Sequence, residues 1–150
     1  MSEKKLTVAL AGNPNAGKTT LFNALTGLHN HVGNWPGKTV TVERMEGEYN
    51  GYTLEIVDLP GTYSLSSRAL DEELASEFLR NEKPDAVVNI VDAAHLERNL
   101  YLTLQLIELG CPLILALNMN KYAEAEGFVI DTKKLSNMLG IPVVKIEAID

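Results

Sequence analysis

The stretch from Gly12 to Thr19, GNPNAGKT, constrains the fold of this chain more than any other. It matches the pattern G-x-x-x-x-G-K-S/T in full. Before it lies an apolar run, KLTVALA from Lys5 to Ala11, that reads as a buried strand. After it, Lys18 to Leu28 has helical spacing. A strand that feeds a helix through such a turn points successive backbone N–H groups, and the helix N-terminus, at one place. That place is an anion site. Gly12 and Gly17 allow the sharp path, and Asn13, Pro14, Asn15 and Ala16 form the bend between them. Lys18 is placed to bridge the β- and γ-phosphates, and the Thr19 hydroxyl suits Mg²⁺. Thr20 completes the cradle. The pattern predicts a chain that binds a purine nucleoside triphosphate with magnesium.

Strand and helix patterns alternate beyond this loop. Residues 29 to 39 read as a loop of Gly, Asn, His and Pro. Val40 to Tyr49 and Tyr52 to Asp58 alternate as two strands around Asn50-Gly51, a dipeptide suited to a tight hairpin turn with positive φ. A helix is predicted from Asp71 to Arg80, a buried strand from Ala86 to Val91, and a helix from Leu96 to Leu109 that stops at Gly110. Pro112 to Leu117 reads as a strand, Asp131 to Leu139 as a helix ending at Gly140, and Pro142 to Ile146 as a last strand. The expected class is α/β, a P-loop NTPase fold. Its sheet is mostly parallel, with one antiparallel edge strand and helices on both faces.

The 150 residues fit a single domain, and 45% hydrophobic residues suffice for a core. No helix follows the last strand, so residues 1–150 read as a single domain short of its last helix. The net charge of −7 argues against broad nucleic-acid binding, which needs a basic face. The single cysteine, Cys111, allows no internal disulfide and suits a reducing compartment. The apolar run near Leu113 to Leu117 is far short of the roughly 18 residues of a membrane helix, so the chain by itself reads as soluble.

Three further segments carry chemistry. Asp58-Leu59-Pro60-Gly61 ends a strand, where Asp58 can hold magnesium and Gly61 can offer its N–H to a γ-phosphate. In the segment Gly37-Lys38-Thr39-Val40-Thr41, either Thr39 or Thr41 can add the hydroxyl that completes an octahedral magnesium site. Such a loop would order on the γ-phosphate and relax after hydrolysis. Trp35 in the same polar loop suits either packing on the domain or a nucleotide cover or partner surface. Asn118-Met119-Asn120-Lys121 follows a strand where guanine-binding P-loop proteins carry N/T-K-x-D. Asn118 fits its part, and Met119 can cover the base. Lys121 cannot accept from guanine, because an ammonium has donors only.

The remaining candidates read as structural. His29, His31 and His95 lack a metal-ligand spacing, and Cys111 reads as core. Asp71, Glu72 and Glu73 suit an acidic first helical turn. Asp92 and Glu97-Arg98-Asn99 suit capping and surface pairing.

With these residues in view, the chain resembles the cytosolic G domain of the FeoB ferrous-iron transporter family, within the TrmE-Era-Septin-like P-loop GTPases. GNPNAGKTTLFNALTG, HVGNWPG, DLPGTYSL and NIVDAAHLERNLYLTLQL carry the resemblance. It implies the fold of small GTPases, and a GTPase that binds GTP/GDP with Mg²⁺ and serves as the switch domain of a ferrous-iron uptake system at the cytosolic face of the cell inner membrane. It also implies a helical regulatory domain and a membrane permease domain further along, no nucleic-acid partner, and compatibility with a homo-oligomer. Asn15 resembles a potassium-binding asparagine, with the backbone around Gly33 to Trp35 supplying further ligands for K⁺. Thr62 stands where classical GTPases place a water-positioning Gln and is too short for that role, which implies slow hydrolysis.

Three departures stand out. Lys121 replaces an Asp. Glu147-Ala148 replaces the base-contacting Ser-Ala. The stretch from Gly37 to Glu43 is two residues longer than the usual G-x-T-V-E, which leaves Thr39 and Thr41 both open. Two other readings remain at this point: a variant nucleotide-binding module with weakened guanine specificity and little turnover, and an Era-like ribosome-associated GTPase.

Overall fold

A computed structural model describes residues 4–24, 29–34, 41–66 and 69–147. Seven strands form one sheet: β1 (Lys5–Gly12), β2 (His29–Asn34), β3 (Thr41–Tyr49), β4 (Tyr52–Asp58), β5 (Ala86–Asp92), β6 (Leu113–Asn118) and β7 (Val143–Lys145). Five helices accompany them: α1 (Lys18–Ala24), α2 (Leu70–Asn81), α3 (Leu96–Leu109), α4 (Asn120–Ala125) and α5 (Thr132–Leu139). The strand order is β2-β3-β4-β1-β5-β6-β7. The pairings from β4 through β7 are parallel. Those of β2 with β3 and of β3 with β4 are antiparallel.

Strand β1 shows why both faces of the sheet are covered. Its side chains alternate, as every strand's must. Ala9 and Ala11 pack with Leu74, Phe78, Leu102 and Leu106, so α2 and α3 lie on that face. Leu10 packs on the other face with Phe22 of α1 and with Ile56 and Ile90. A third cluster, Val91, Leu115 and Leu117, is closed by Ala123 of α4 and Leu139 of α5. The chain leaves β1 for β4 on one side and then crosses to β5 on the other. Ligands of open α/β sheets bind at such a reversal, outside the carboxyl ends of the strands, and Gly12 lies there.

Most of the predicted elements recur within a residue or two. The turn at Asn50-Gly51 has φ of 49° and 82°, the positive values read from the dipeptide. Helix α3 ends at Gly110 as expected, and α2 opens on Asp71, Glu72 and Glu73. Two corrections are needed. Residues 29 to 34, expected as loop, form β2, so β3 of the hairpin is an inner strand and the antiparallel region is two pairings wide. HNHVGN has no alternating apolar face, and its Val32 is 66% exposed. The strand is held by backbone pairing to β3, which leaves no pattern to read. Helix α4 was not expected either; it has only six residues and no side-chain cap. The predicted continuation of α1 to Leu28 lies outside the described residues.

Cys111 is half-buried beside the first core cluster, and its Sγ–H donates to the Leu106 carbonyl. Burial pushes the thiol pKa up, partly offset by a backbone hydrogen bond. The thiolate is the reactive form. Iodoacetamide at pH 8 should therefore alkylate Cys111 in the folded chain at least a few-fold more slowly than in the urea-unfolded chain, as followed by mass spectrometry. Equal rates would contradict this burial.

Candidate phosphate and base site

The loop after β1 is built as its sequence demands. Asn15 and Gly17 take positive φ of 71° and 100°, and the Ala16 N–H donates to the Asn13 carbonyl at 3.1 Å. Helix α1 starts at Lys18, so its free N–H groups face the bend. Asn13, Pro14, Asn15, Gly17, Lys18, Thr19 and Thr20 all line a cavity of about 540 Å³, joined by Gly61, Asp71 and Met119. Every expected phosphate-loop residue except Gly12 and the buried Ala16 thus reaches one space. A larger groove lies between Ala93–Leu100 and Gly127–Ile130. Its lining is mostly apolar and holds none of the phosphate-loop residues, which line the smaller cavity.

The Asp58 turn is tied to this loop by backbone bonds. The Leu59 N–H donates to the Leu10 carbonyl at 3.1 Å, and the Thr62 N–H donates to the Gly12 carbonyl at 3.0 Å. Leu59 and Thr62 are buried, while Pro60 and Gly61 are half-buried. The Lys18 ammonium donates to the Asp58 carboxylate in an ion pair whose side chains are 8% and 11% exposed. Lys18 and Gly61 line the cavity, and Asp58 stands behind the Lys18 ammonium rather than on the cavity wall. Buried Thr62 is held in the framework, so its hydroxyl is not a stand-in for a long mobile amide.

The base side is organised around Asn118. Its Nδ2 donates to the Ala16 carbonyl at 3.1 Å, which locks the end of β6 to the phosphate loop. Met119, on the cavity wall, has φ of 61°, a strained value for a residue with a long side chain. Asn120 faces the framework: its Nδ2 donates to the carbonyls of Leu117 at 2.7 Å and Ile146 at 3.0 Å. The Ile146 N–H donates to the Leu117 carbonyl at 2.8 Å. These bonds bring the last loop beside Lys121, whose backbone N–H donates to Glu147 Oε1 at 3.1 Å.

Two features were not legible in the sequence. Asp71 was read only as a helix-dipole residue, yet it lines the cavity. Asn13 is buried with both amide atoms unpartnered. Neither has a sequence signal, because each depends on which segments meet. Gly37, Lys38, Thr39, Val40, Trp35 and Ala148 lie outside the described residues. Thr41 is placed by its backbone as the first residue of β3. Asp92 accepts from the Ala94 N–H at 2.9 Å and contacts His95 Nδ1 at 2.9 Å, as capping and pairing require. Among the described residues no group of three or more His, Cys, Asp or Glu forms a metal cage. The Asp58 carboxylate and the Thr19 hydroxyl are oxygen donors of the kind that would hold Mg²⁺ together with phosphate oxygens.

Comparison with known proteins gives the same answer throughout. The family described as Ferrous iron transport protein B matches residues 6–150. The Fe(2+) transporter FeoB of Salmonella typhimurium is 54% identical over 149 residues, covering 95% of this chain and 19% of that protein. The chain therefore spans about a fifth of the length of the curated relatives it matches. The FeoB G-domain from Methanococcus jannaschii superposes with a TM-score of 0.83 at 52% identity, covering 97% of this chain and 87% of that one. The cytosolic domain of the T. maritima FeoB iron transporter in a GDP form reaches a TM-score of 0.90 at 42% identity, covering 99% of this chain and 58% of that one.

Proposed function

This chain belongs to the Ferrous iron transport protein B family, and on that premise we propose that it is the GTP-binding, slowly GTP-hydrolysing switch domain of a ferrous-iron uptake system. The observation that carries the reading is the meeting of Lys18 and Asp58. It joins the phosphate loop and the Asp58–Gly61 turn at one cavity. Lys18 and the loop N–H groups bind the triphosphate. Asp58 and Thr19 hold magnesium, with Thr39 or Thr41 adding a hydroxyl. Magnesium supplies charge neutralisation on the phosphate oxygens.

Water attacks the γ-phosphorus as its bond to the β–γ bridging oxygen breaks, giving GDP, inorganic phosphate and a proton that passes to solvent. The Gly61 N–H donates to a γ-phosphate oxygen as charge develops there. Thr62 is short and buried, so it leaves the water poorly oriented and turnover slow. Asn15, exposed at the rim with a positive φ, is suited to ligate K⁺. That cation would add the positive charge Thr62 cannot. In the full-length setting, at the cytosolic face of a membrane, the segments around Thr39 and Pro60 would report the nucleotide to a helical regulatory domain and a permease domain. No described helix is long and apolar enough to cross a membrane.

Isothermal titration with Mg²⁺ tests the reading. GTP and GDP should bind and ATP should bind at least roughly tenfold more weakly, since one unmet polar contact at the base costs about 1–3 kcal/mol. Absence of binding by any nucleotide would sink it. Phosphate release from GTP, faster in KCl than in NaCl, is expected as well.

A further inference from the structure

A guanine base presents two neighbouring donors, N1–H and the 2-amino group, and needs an acceptor opposite them. The turn after β6 has no carboxylate of its own to serve as that acceptor. The amide nitrogen of Asn118 is bonded to the Ala16 carbonyl, and that of Asn120 to the Leu117 and Ile146 carbonyls, which turns both side chains toward the framework. Lys121 has donors only. The carboxylate that the fold brings to this turn comes from the loop after β7, the strand paired with β6. Glu147 Oε1 accepts from the Lys121 N–H at 3.1 Å, which sets the Glu147 carboxylate against the backbone of residue 121. An aspartate at position 121 would hold its own carboxylate within a similar short reach of that same N–H. We infer that Glu147 supplies the acceptor that reads the guanine edge in place of a carboxylate at position 121. The inference rests on the reading of this cavity as a GTP site.

Three observations support that role. The backbone beneath Glu147 is fixed, because the neighbouring Ile146 donates its N–H to Leu117 of β6 and accepts at its carbonyl from Asn120 at the start of α4. The Lys121 N–H uses one carboxylate oxygen and orients the group, while among the described residues Oε2 has no partner and is free to accept. The side chain is exposed, so it is not part of the core and can meet a ligand. Met119 joins this turn to the phosphate cavity, so a nucleotide on the loop has its base on the side where Glu147 stands. The carboxylate accepts from both guanine donors, from one donor of hypoxanthine, and faces an oxygen at C2 of xanthine.

The test titrates GTP, inosine triphosphate and xanthosine triphosphate, with Mg²⁺, into three proteins: the unaltered chain, Glu147→Gln, and Lys121→Asp combined with Glu147→Gln. The unaltered chain should prefer GTP over inosine triphosphate, and that over xanthosine triphosphate. Glu147→Gln turns one acceptor oxygen into a donor amide. It should weaken GTP roughly 10- to 100-fold, while xanthosine triphosphate is held or gains. The double variant should recover GTP affinity, because an acceptor returns at position 121. Melting temperatures within a degree or two of the unaltered chain would show that each variant is folded. If Glu147→Gln binds GTP unchanged, or if the double variant is folded and does not recover, the inference is wrong. If the unaltered chain binds all three nucleotides alike, the phosphate site stands and this inference falls. If it binds none, the GTP reading falls and takes the inference with it.

Discussion

Lys18→Ala should weaken GTP binding by roughly 100-fold or more and leave a chain that GTP no longer protects against heat. Lys18 opens α1 and lines the cavity, where its ammonium would bridge the β- and γ-phosphates of a bound triphosphate. A hydrogen bond to a charged group contributes about 1.5–3 kcal/mol, and 1.4 kcal/mol is a factor of ten, so two such contacts account for the loss. A second consequence follows from the ion pair. Lys18 and Asp58 are only 8% and 11% exposed, so solvent screens little of their attraction. Removing the cation leaves a carboxylate short of its partner, a change that typically costs about 3–5 kcal/mol when the pair is buried. The variant should therefore melt several degrees lower without nucleotide. Its melting temperature should not rise with GTP, because a ligand protects only as far as it binds the folded state. Titration calorimetry and thermal melts read the two effects separately. An unchanged GTP dissociation constant would remove Lys18 from the site.

The parts of the molecule that were legible share one property: their signals are local. The phosphate loop sits between a strand and a helix, and each of its residue types has a mechanical reason at its own position. Asn50-Gly51 names its turn by the two positive φ values it alone takes cheaply. Gly110 stops α3 for the same kind of reason. The features that escaped are set by tertiary pairing. HNHVGN forms β2 because β3 offers an open edge, not because its own residues favour a strand. Asn120 was read as a base-side residue, yet its amide is taken up in joining β6 to the last loop across the sheet end. Asp71 looked like any acidic first-turn residue until α2 was seen against the phosphate loop. Glu147 looked like a departure from a pattern, and only its contact with the Lys121 N–H gives it a position. The choice between Thr39 and Thr41 stays chemical, since both carry the hydroxyl that magnesium needs.

The second large effect is expected at Gly17, and it separates strain from collision. Gly17 has φ of +100°, and a Cβ added there would lie 2.1 Å from Asn118 Nδ2. That nitrogen is already donating to the Ala16 carbonyl inside the fold. Gly17→Ala must therefore do two things: hold a side chain at an unfavourable φ, costing about 1–2 kcal/mol, and push Asn118 off a buried acceptor, costing about 1–3 kcal/mol more. The sum is about 2–5 kcal/mol of stability. The second part also unlocks the phosphate loop from the end of β6, so nucleotide binding should be lost with it. Gly110→Ala is the matched control. It has φ of +82°, but nothing lies within 4 Å of the added Cβ, and Gly110 ends α3 away from the phosphate cavity. It should lose only the conformational part and keep its GTP affinity. Urea melts of the two variants give the difference directly, and that difference is the cost of displacing Asn118. Equal destabilisation, with GTP binding intact in both, would show that the Asn118 amide does not stand over Gly17 and that the base turn and the phosphate loop are not locked together.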